Sequence, residues 1–249
     1  EKALLGRKVT GVHVHDDRIL RDGCRAQWLG RHLNGMTLDA VRRHGKLLFI
    51  RAGDGKGGWL MLHFGMTSRL APDAEPPHER LRLDFADGGH LAFDSQRLLG
   101  EVGWVDDPDT EIAGRALGPD AMGLDPETFR ERLGGRRGMV KTALMDQSVM
   151  AGVGNIWADE GLFQARLRPD RRLPDLGDAE TEALHDGLMR ALRMGVHANP
   201  RREGFEDRMP DESITPHRED GAVCPRCGAP LASRKISGRT AWFCPGCQH

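Results

Sequence analysis

The chain has 249 residues, 39% of them apolar, with 36 basic and 37 acidic side chains and a formal net charge of -1. Such a chain can bury one large core or two moderate ones, as a soluble globular protein does. The near-neutral charge excludes a protein that coats nucleic acid without selectivity, so any nucleic-acid function must come from local basic segments. No apolar run is long enough for a membrane span and the chain starts without a signal peptide, so we expect a cytoplasmic protein with no membrane partner.

The first part of the chain, residues 7–102, has the alternating pattern of short strands. Turn-forming residues such as Asp54-Gly55 and Asp87-Gly88-Gly89 separate the runs. The predicted strands are KVTGVHV, LLFIRA, GWLMLHF, RLRLDFA and HLAFDS. This half of the chain is therefore predicted to be rich in β-structure.

The period becomes helical after the Pro-, Asp- and Gly-rich stretch 106–125. The predicted helices are DPETFRERL, VKTALMDQ, NIWADEGLFQA and a long amphipathic run from Asp178 to about Val196. We place the change of character between about 105 and 125. The resulting domain assignment is 1–110, 111–217 and 218–249.

Two segments concentrate positive charge. Residues 130–141 carry five bases against one acid, and residues 221–249 carry four bases and no acid. The first leads into the turn Gly152-Val153-Gly154, which directly precedes Asn155 and a helix. Backbone N–H groups at such a helix start can bind an anion, although a close-packed turn explains the glycines equally well. Lys141 and the basic run before it favour the phosphate interpretation.

Two CxxC pairs near the C-terminus, sixteen residues apart, have the spacing of a metal-binding knuckle pair. The predicted ligands are Cys224, Cys227, Cys244 and Cys247. A closed four-sulfur zinc site is structural, because it leaves no coordination position for water or substrate. Two disulfides are the alternative, and they need an oxidising compartment. Cys24 has no partner in this pattern and is expected to be an ordinary buried or half-buried thiol.

The segment between the knuckles is predicted to be a hairpin around Ser237-Gly238. It carries Arg234, Lys235 and Arg239 and no acid, which suits a phosphate backbone. A solvated ribbon that caps the chain or binds another protein is the alternative.

Several motifs in a fixed order resemble the formamidopyrimidine-DNA glycosylase and endonuclease VIII family. They run from about Leu5 to the last residue: HGK, HFGMTSRL, SQRLLG, LGPDAM, KTALMDQSVMAGVGNIWADE, HREDGAVCPRCGAPL and GRTAWFCPGCQ. The resemblance implies an α+β fold with an N-terminal β-sandwich domain and a helical domain that has a helix-two-turn-helix motif and a four-cysteine β-hairpin zinc finger, with DNA in the cleft between. It further implies a monomeric, bacterial-type repair enzyme with one structural zinc ion and no small-molecule cofactor, which acts on damaged double-stranded DNA.

The family's chemistry is removal of a damaged base followed by strand scission, and an extruded base leaves a gap to fill. By resemblance, Met66 fills that gap, Arg97 pairs with the orphaned opposite base, and Leu99 is the neighbouring wedge. The family typically has Asp and Phe where this chain has Ser95 and Leu99, which bears on opposite-base selectivity.

The resemblance also implies phosphate contacts and groups near the reaction centre. Lys46 and Arg239 are assigned to the catalytic centre, and the implied phosphate contacts are His78, Arg136, Lys141, Asn155 and Arg239. The polar loop 200–217 matches the family's mobile loop over the extruded base.

The family's nucleophile is an N-terminal proline whose amine forms a Schiff base with the sugar. This chain begins at Glu1, which we do not equate with the family's catalytic glutamate. One hypothesis is that the first residues lie upstream of the given sequence, and the protein is a bifunctional glycosylase and abasic-site lyase. The alternative is a lesion-binding or abasic-site-binding relative without catalysis. A third hypothesis makes the ribbon a protein- or RNA-interaction module on an unrelated scaffold.

Overall fold

The computed structural model describes residues 4–21, 23–53, 55, 57–198 and 208–249. The chain forms two compact units, Glu1–Arg115 and Ala116–His249. The first is built from β-sheets and the second from helices with a terminal hairpin, so the predicted α+β fold is confirmed.

The first unit contains two four-stranded antiparallel sheets, with the orders β1-β6-β7-β5 and β2-β3-β4-β8. Their strands are β1 (Val9–Val14), β2 (Leu38–His44), β3 (Leu47–Ala52), β4 (Trp59–His63), β5 (Arg69–Pro72), β6 (Glu79–Phe85), β7 (His90–Asp94) and β8 (Glu101–Val105). Two short helices accompany them, α1 (Ala26–Leu33) and α2 (Pro108–Gly114).

Alternation along the strands gives this unit its core. In β6, Leu81, Leu83 and Phe85 are buried, while Arg82 and Asp84 between them are partly exposed. Leu60 and Leu62 of the second sheet belong to the same buried cluster, so the two sheets pack as a sandwich. Each fully buried leucine contributes about 1.5–3 kcal/mol through removal of its apolar surface from water.

The second unit is a helical core with a hairpin packed on it. Its helices are α3 (Pro126–Leu133), α4 (Val140–Met145), α5 (Asn155–Gln164) and α6 (Asp178–Ala198), which confirms the four predicted helical segments. Asp125 caps α3 by accepting a hydrogen bond from the Thr128 N–H at 2.8 Å. Helix α6 buries Leu184 and Leu188 in the core of this unit.

The predicted hairpin is present as β9 (Ala232–Ile236) and β10 (Arg239–Phe243). Ser237 and Gly238 form its turn with φ values of 48° and 75°, the combination that a two-residue type I′ turn requires. Glycine adopts such a φ without the steric cost that a side chain adds.

The predicted mobile loop 200–217 is only partly within the described residues, because 200–207 lie outside them, as does Asp54 of the predicted turn Asp54-Gly55. The described part differs from the expectation. Ser213 and Ile214 are fully buried, and Thr215 donates its N–H and its hydroxyl to Glu160 Oε2 at 2.9 and 2.6 Å. The buried carboxylate of Glu160 requires such donors, and these two hydrogen bonds anchor the segment around Thr215.

None of the helices in the described ranges combines the length and the apolar character that crossing a membrane demands.

Candidate functional site

Strand register places Lys46 and Met66 at the same end of the second sheet. Leu47, the first residue of β3, pairs with His63, the last residue of β4. Lys46 precedes this pair on the β2–β3 turn and is exposed, and Met66 follows it on the link to β5. The sheet itself therefore brings these two predicted residues to one edge.

Met66 and Leu99 are apolar side chains that the fold holds in solvent, with 75% and 44% of their surface exposed. Their turns are packed backbone to backbone, because a Cβ on Gly65 would lie 2.2 Å from the Leu99 carbonyl oxygen. Leu98 adopts a φ of 52°, an unusual conformation for a branched residue that indicates a turn fixed by its surroundings. Two exposed apolar tips on fixed turns are suited to insertion between stacked bases.

Arg97 and His78 lie next to these tips. Arg97 is exposed on the turn that carries Leu99, and the Ser95 N–H donates to the His78 carbonyl at 3.0 Å. The His78 Nδ1 is 3.9 Å from Asp94 Oδ1, and Asp94 Oδ2 accepts from Arg69 Nε at 2.9 Å. All five predicted residues of the first unit thus lie on turns at one end of the sandwich.

In the second unit, a single side chain fixes the turns between α4 and α5. Gln147 Nε2 donates to the Met145 and Val153 carbonyls at 2.8 and 2.9 Å. Its Oε1 accepts from the Gly152 N–H at 3.0 Å. These three bonds set the position at which α5 begins with Asn155, which confirms the predicted helix, Gly-bearing turn and helix.

Asn155 and the hairpin meet at the Thr240 carbonyl. Asn155 Nδ2 donates to that oxygen at 3.2 Å, and Arg239, the residue before Thr240, is exposed at the start of β10. The Asn155 amide has a second N–H that can donate elsewhere. The structure therefore brings together two of the predicted phosphate contacts.

Lys141 lies in a different environment from the other predicted contacts. Its side chain is 0% exposed, and its Nζ donates to Asp159 Oδ1 at 2.5 Å. The Asp159 side chain is fully buried as well. Burial lowers the pKa of Lys141 and raises the pKa of Asp159, and their mutual attraction offsets part of both shifts. Removing one partner of such a pair costs about 3–5 kcal/mol.

Arg136 is on the basic segment between α3 and α4. It is exposed, and its guanidinium donates to the Arg132 carbonyl at 3.1 Å and lies 3.5 Å from Asp146 Oδ2. An exposed pair of this kind contributes little to stability, so the guanidinium can exchange its partner for a phosphate.

The four predicted ligand cysteines converge. Their sulfur atoms all lie within 4.8 Å of one another, and the Sγ atoms of Cys224 and Cys247 are 3.6 Å apart. Tetrahedral coordination at the usual metal–sulfur distance separates sulfurs by about 3.8 Å, whereas a disulfide joins them at about 2.0 Å. Burial raises the pKa of the Cys244 and Cys247 thiols, whereas hydrogen bonds, first of all with the Ala229 backbone, lower the pKa of Cys227. A bound cation would stabilise all four cysteines as thiolates. The donor set therefore fits a structural metal ion.

The fifth cysteine, Cys24, is half buried in the first unit, as predicted. Burial raises the pKa of its thiol, which favours the protonated form over the reactive thiolate.

The residues that sequence reasoning missed are those that connect the predicted ones. They are Gln147, Asp159, Glu160, Thr215, Arg218 and Thr240. The signal in the sequence was the adjacent acidic pair Asp159-Glu160. The structure buries both side chains fully in a helix whose neighbouring positions Ala158 and Leu162 are also buried. Two adjacent acids in an otherwise apolar run indicate buried partners, although not which ones.

Family models match most of the chain. Residues 1–102 match the formamidopyrimidine-DNA glycosylase N-terminal domain, and residues 116–204 match the H2TH domain of the same glycosylase. Residues 221–249 match a zinc finger found in FPG and IleRS.

Individual proteins are similar over the whole length. A formamidopyrimidine-DNA glycosylase of Geobacter metallireducens is 34% identical, with 100% of this chain and 94% of the relative covered. One from Symbiobacterium thermophilum is 35% identical, covering 98% of this chain and 84% of the relative. The crystal structure of Lactococcus lactis Fpg with DNA that contains an abasic site matches with a TM-score of 0.87 at 25% identity, covering 100% of this chain and 95% of that one. The same protein with DNA that contains Fapy-dG matches with a TM-score of 0.85 and equal coverage.

Proposed function

Since the chain belongs to the formamidopyrimidine-DNA glycosylase family, we propose that it excises oxidised bases from duplex DNA and cleaves the strand at the resulting abasic site. The observation that carries this proposal is the pair of exposed apolar tips, Met66 and Leu99, on fixed turns beside Arg97. An enzyme that extrudes a base must fill the vacated stack and satisfy the orphaned partner. Apolar tips can do the first, and a guanidinium can do the second through hydrogen bonds to a base edge.

The phosphate contacts proposed for the backbone are His78, Arg136, Asn155 and Arg239. Asn155 and Arg239 approach each other through Thr240, so a helix start and a hairpin turn can donate to the same stretch of backbone. His78 occupies the first unit beside the tips. Contacts of this kind hold the duplex in register without reading its sequence.

Strand cleavage proceeds through a Schiff base in this family, and an amine must attack the sugar C1′ as the base departs. We propose that Lys46, an exposed cation at the end of the sandwich that also carries Met66, binds phosphate or assists proton transfer around that carbon. Arg239, in the second unit, is also proposed to act in catalysis, by binding phosphate. A positioned cation favours the developing negative charge of a leaving phosphate.

The cluster of Cys224, Cys227, Cys244 and Cys247 would hold one zinc ion, because four thiolates at tetrahedral separation are the preferred shell of that metal. The ion supplies structure, since all four positions are filled by protein. We further propose that the protein acts as a monomer on damaged duplex DNA, in the cytoplasm beside the chromosome.

The test is excision and borohydride trapping on two duplexes, one with a formamidopyrimidine lesion and one with an abasic site. Two proteins are compared: the 249-residue chain and the product of the full reading frame, which carries whatever precedes Glu1. We expect base release and a covalent protein–DNA adduct from the full reading frame. Tight binding of both duplexes with no release and no adduct would instead establish a lesion-binding protein, and equal affinity for undamaged duplex would remove both functions.

A further inference from the structure

A buried carboxylate joins four segments of the second unit. Asp159 Oδ1 in α5 accepts from Lys141 Nζ in α4 at 2.5 Å. Its Oδ2 accepts from the Arg218 guanidinium at 2.8 and 3.2 Å, and from the Trp242 backbone N–H in β10 at 3.2 Å. One side chain thereby connects two helices, the segment before the cysteine knuckles, and the hairpin.

Lys141 makes a second connection to the same hairpin. Its Nζ donates to the Thr240 carbonyl at 3.2 Å, the oxygen that also accepts from Asn155 Nδ2. Strand β10 is therefore tied to the helices twice, at Thr240 and at Trp242, and Arg239 directly precedes the first tie. The position of Arg239 relative to Asn155 depends on these bonds.

The Lys141 ammonium has little capacity to serve a phosphate as well. With 0% of its side chain exposed and two acceptors already bound, it would have to leave a buried carboxylate to reach DNA. An ammonium has three N–H groups, and two of them point into the protein.

We propose that Lys141 and Asp159 are positioning residues that fix the hairpin on the helices, so that Asn155 and Arg239 are held for one DNA backbone, and that Lys141 does not itself bind phosphate. This inference rests on the proposed function, because it assumes that DNA lies against Asn155 and Arg239. It reassigns one of the phosphate contacts expected from the resemblance.

A measurement on the protein without substitutions distinguishes a positioning role of Lys141 from a phosphate-binding role. The native chain is reductively methylated with and without a duplex that contains an abasic-site analogue, and modified lysines are identified by mass spectrometry. We expect Lys141 to be unreactive in both states, while exposed Lys46 is modified in the free protein and protected in the complex. Modification of Lys141 in the free protein, followed by protection in the complex, would overturn the inference. If no lysine changes reactivity, the duplex does not bind and the proposed function has failed instead.

Variants give an independent test through the salt dependence of binding. Each phosphate contact contributes about 0.9 to the slope of log K against log salt. Lys141→Met is expected to weaken binding about tenfold or more at fixed salt with the slope unchanged, whereas Arg239→Ala, the control for a true contact, lowers the slope by about 0.9. A comparable fall in slope for Lys141→Met would contradict the assignment.

The double variant Lys141→Met/Asp159→Asn tests whether the pair acts as a unit. It keeps the net charge, and the asparagine oxygen can still accept from Arg218 and the Trp242 N–H. We expect it to bind at least about threefold more tightly than Asp159→Asn alone, because the fully buried Lys141 ammonium is no longer left without a counterion. A double variant that binds no better than Asp159→Asn would count against the pair, and if the single variants do not fold, the double variant and the methylation result decide.

Discussion

The two units present their candidate residues in opposite ways. In the first unit, Met66, Arg97 and Leu99 stand exposed on turns. In the second, Asn155 and Arg239 depend on buried bonds among Lys141, Asp159 and Thr240. The residues proposed to enter the DNA stack are thus separate from the folding core, whereas those proposed to hold the backbone are part of a buried network. Substitutions should therefore separate function from stability in the first unit and combine them in the second.

Metal removal should have the largest effect on DNA binding. A small effect would contradict the contrast between the two units. Chelation of the proposed zinc ion, or Cys244→Ser, removes the metal link between the two knuckles and should unfold the hairpin. We expect at least about 100-fold weaker binding of lesion-containing duplex, measured by fluorescence anisotropy alongside the metal content. Cys24→Ser is the matched control, expected to retain both metal and affinity. Full affinity in a metal-free protein would show that the hairpin is not needed.

Loss of a buried carboxylate in the second unit should lower stability. Glu160→Ala removes the acceptor of the Thr215 N–H and hydroxyl and should reduce the free energy of unfolding by about 3 kcal/mol. Urea denaturation measures this value. Glu182→Ala, an exposed glutamate in α6, should change it by less than about 0.5 kcal/mol. Equal effects from the two substitutions would show that burial does not distinguish these positions.

Truncation of an exposed tip should affect catalysis alone. Met66→Ala is expected to slow single-turnover base excision about 10- to 100-fold, since the tip supplies the few kcal/mol needed to hold an unstacked base. The midpoint of urea denaturation should stay the same, because the side chain is 75% exposed. A shift of that midpoint together with the rate would place Met66 in the core.

The smallest expected effect concerns the exposed side chain of Leu99. Leu99→Phe adds an aromatic ring to an exposed position, and base–aromatic stacking contributes about 1–3 kcal/mol. We expect a several-fold gain in affinity for abasic duplex and a wider difference among opposite bases, measured by competition binding. Unchanged affinity and selectivity would show that this side chain does not meet a base.

Sequence reasoning predicted the segments with a strong period. Strands β1, β3, β4, β6 and β7, the four helices of the second unit and the hairpin are confirmed. It did not find β2, β5, β8, α1 or α2. Strand β5 has four residues and ends at Pro72, and β8 has five with Gly103 at its centre, so neither is long enough to show alternation. Helix α1 has eight residues with a glycine inside, and glycine lowers helix propensity.

The candidate site divides along the same line. The cysteine ligands were predictable because two knuckles have a recognisable local spacing, and the wedge residues came from motifs that resemble a known family. The buried network was not predictable, because Asp159 lies 59 positions from Arg218 and 83 from Trp242. Partners at such separations are brought together only by the packing of the helices. The role of each site residue on DNA remains a prediction.

Gly65 has a consequence for redesign of the lesion preference. Its missing side chain lets the turn of Met66 rest on the carbonyl of Leu99, so the gap between the two tips is a fixed dimension of the fold. A larger or smaller side chain at Met66 or Leu99 changes what enters the duplex while the spacing of the two turns is kept. Gly65→Ala would instead move both turns apart, so the effect of a substitution at either position could no longer be separated from the change in spacing.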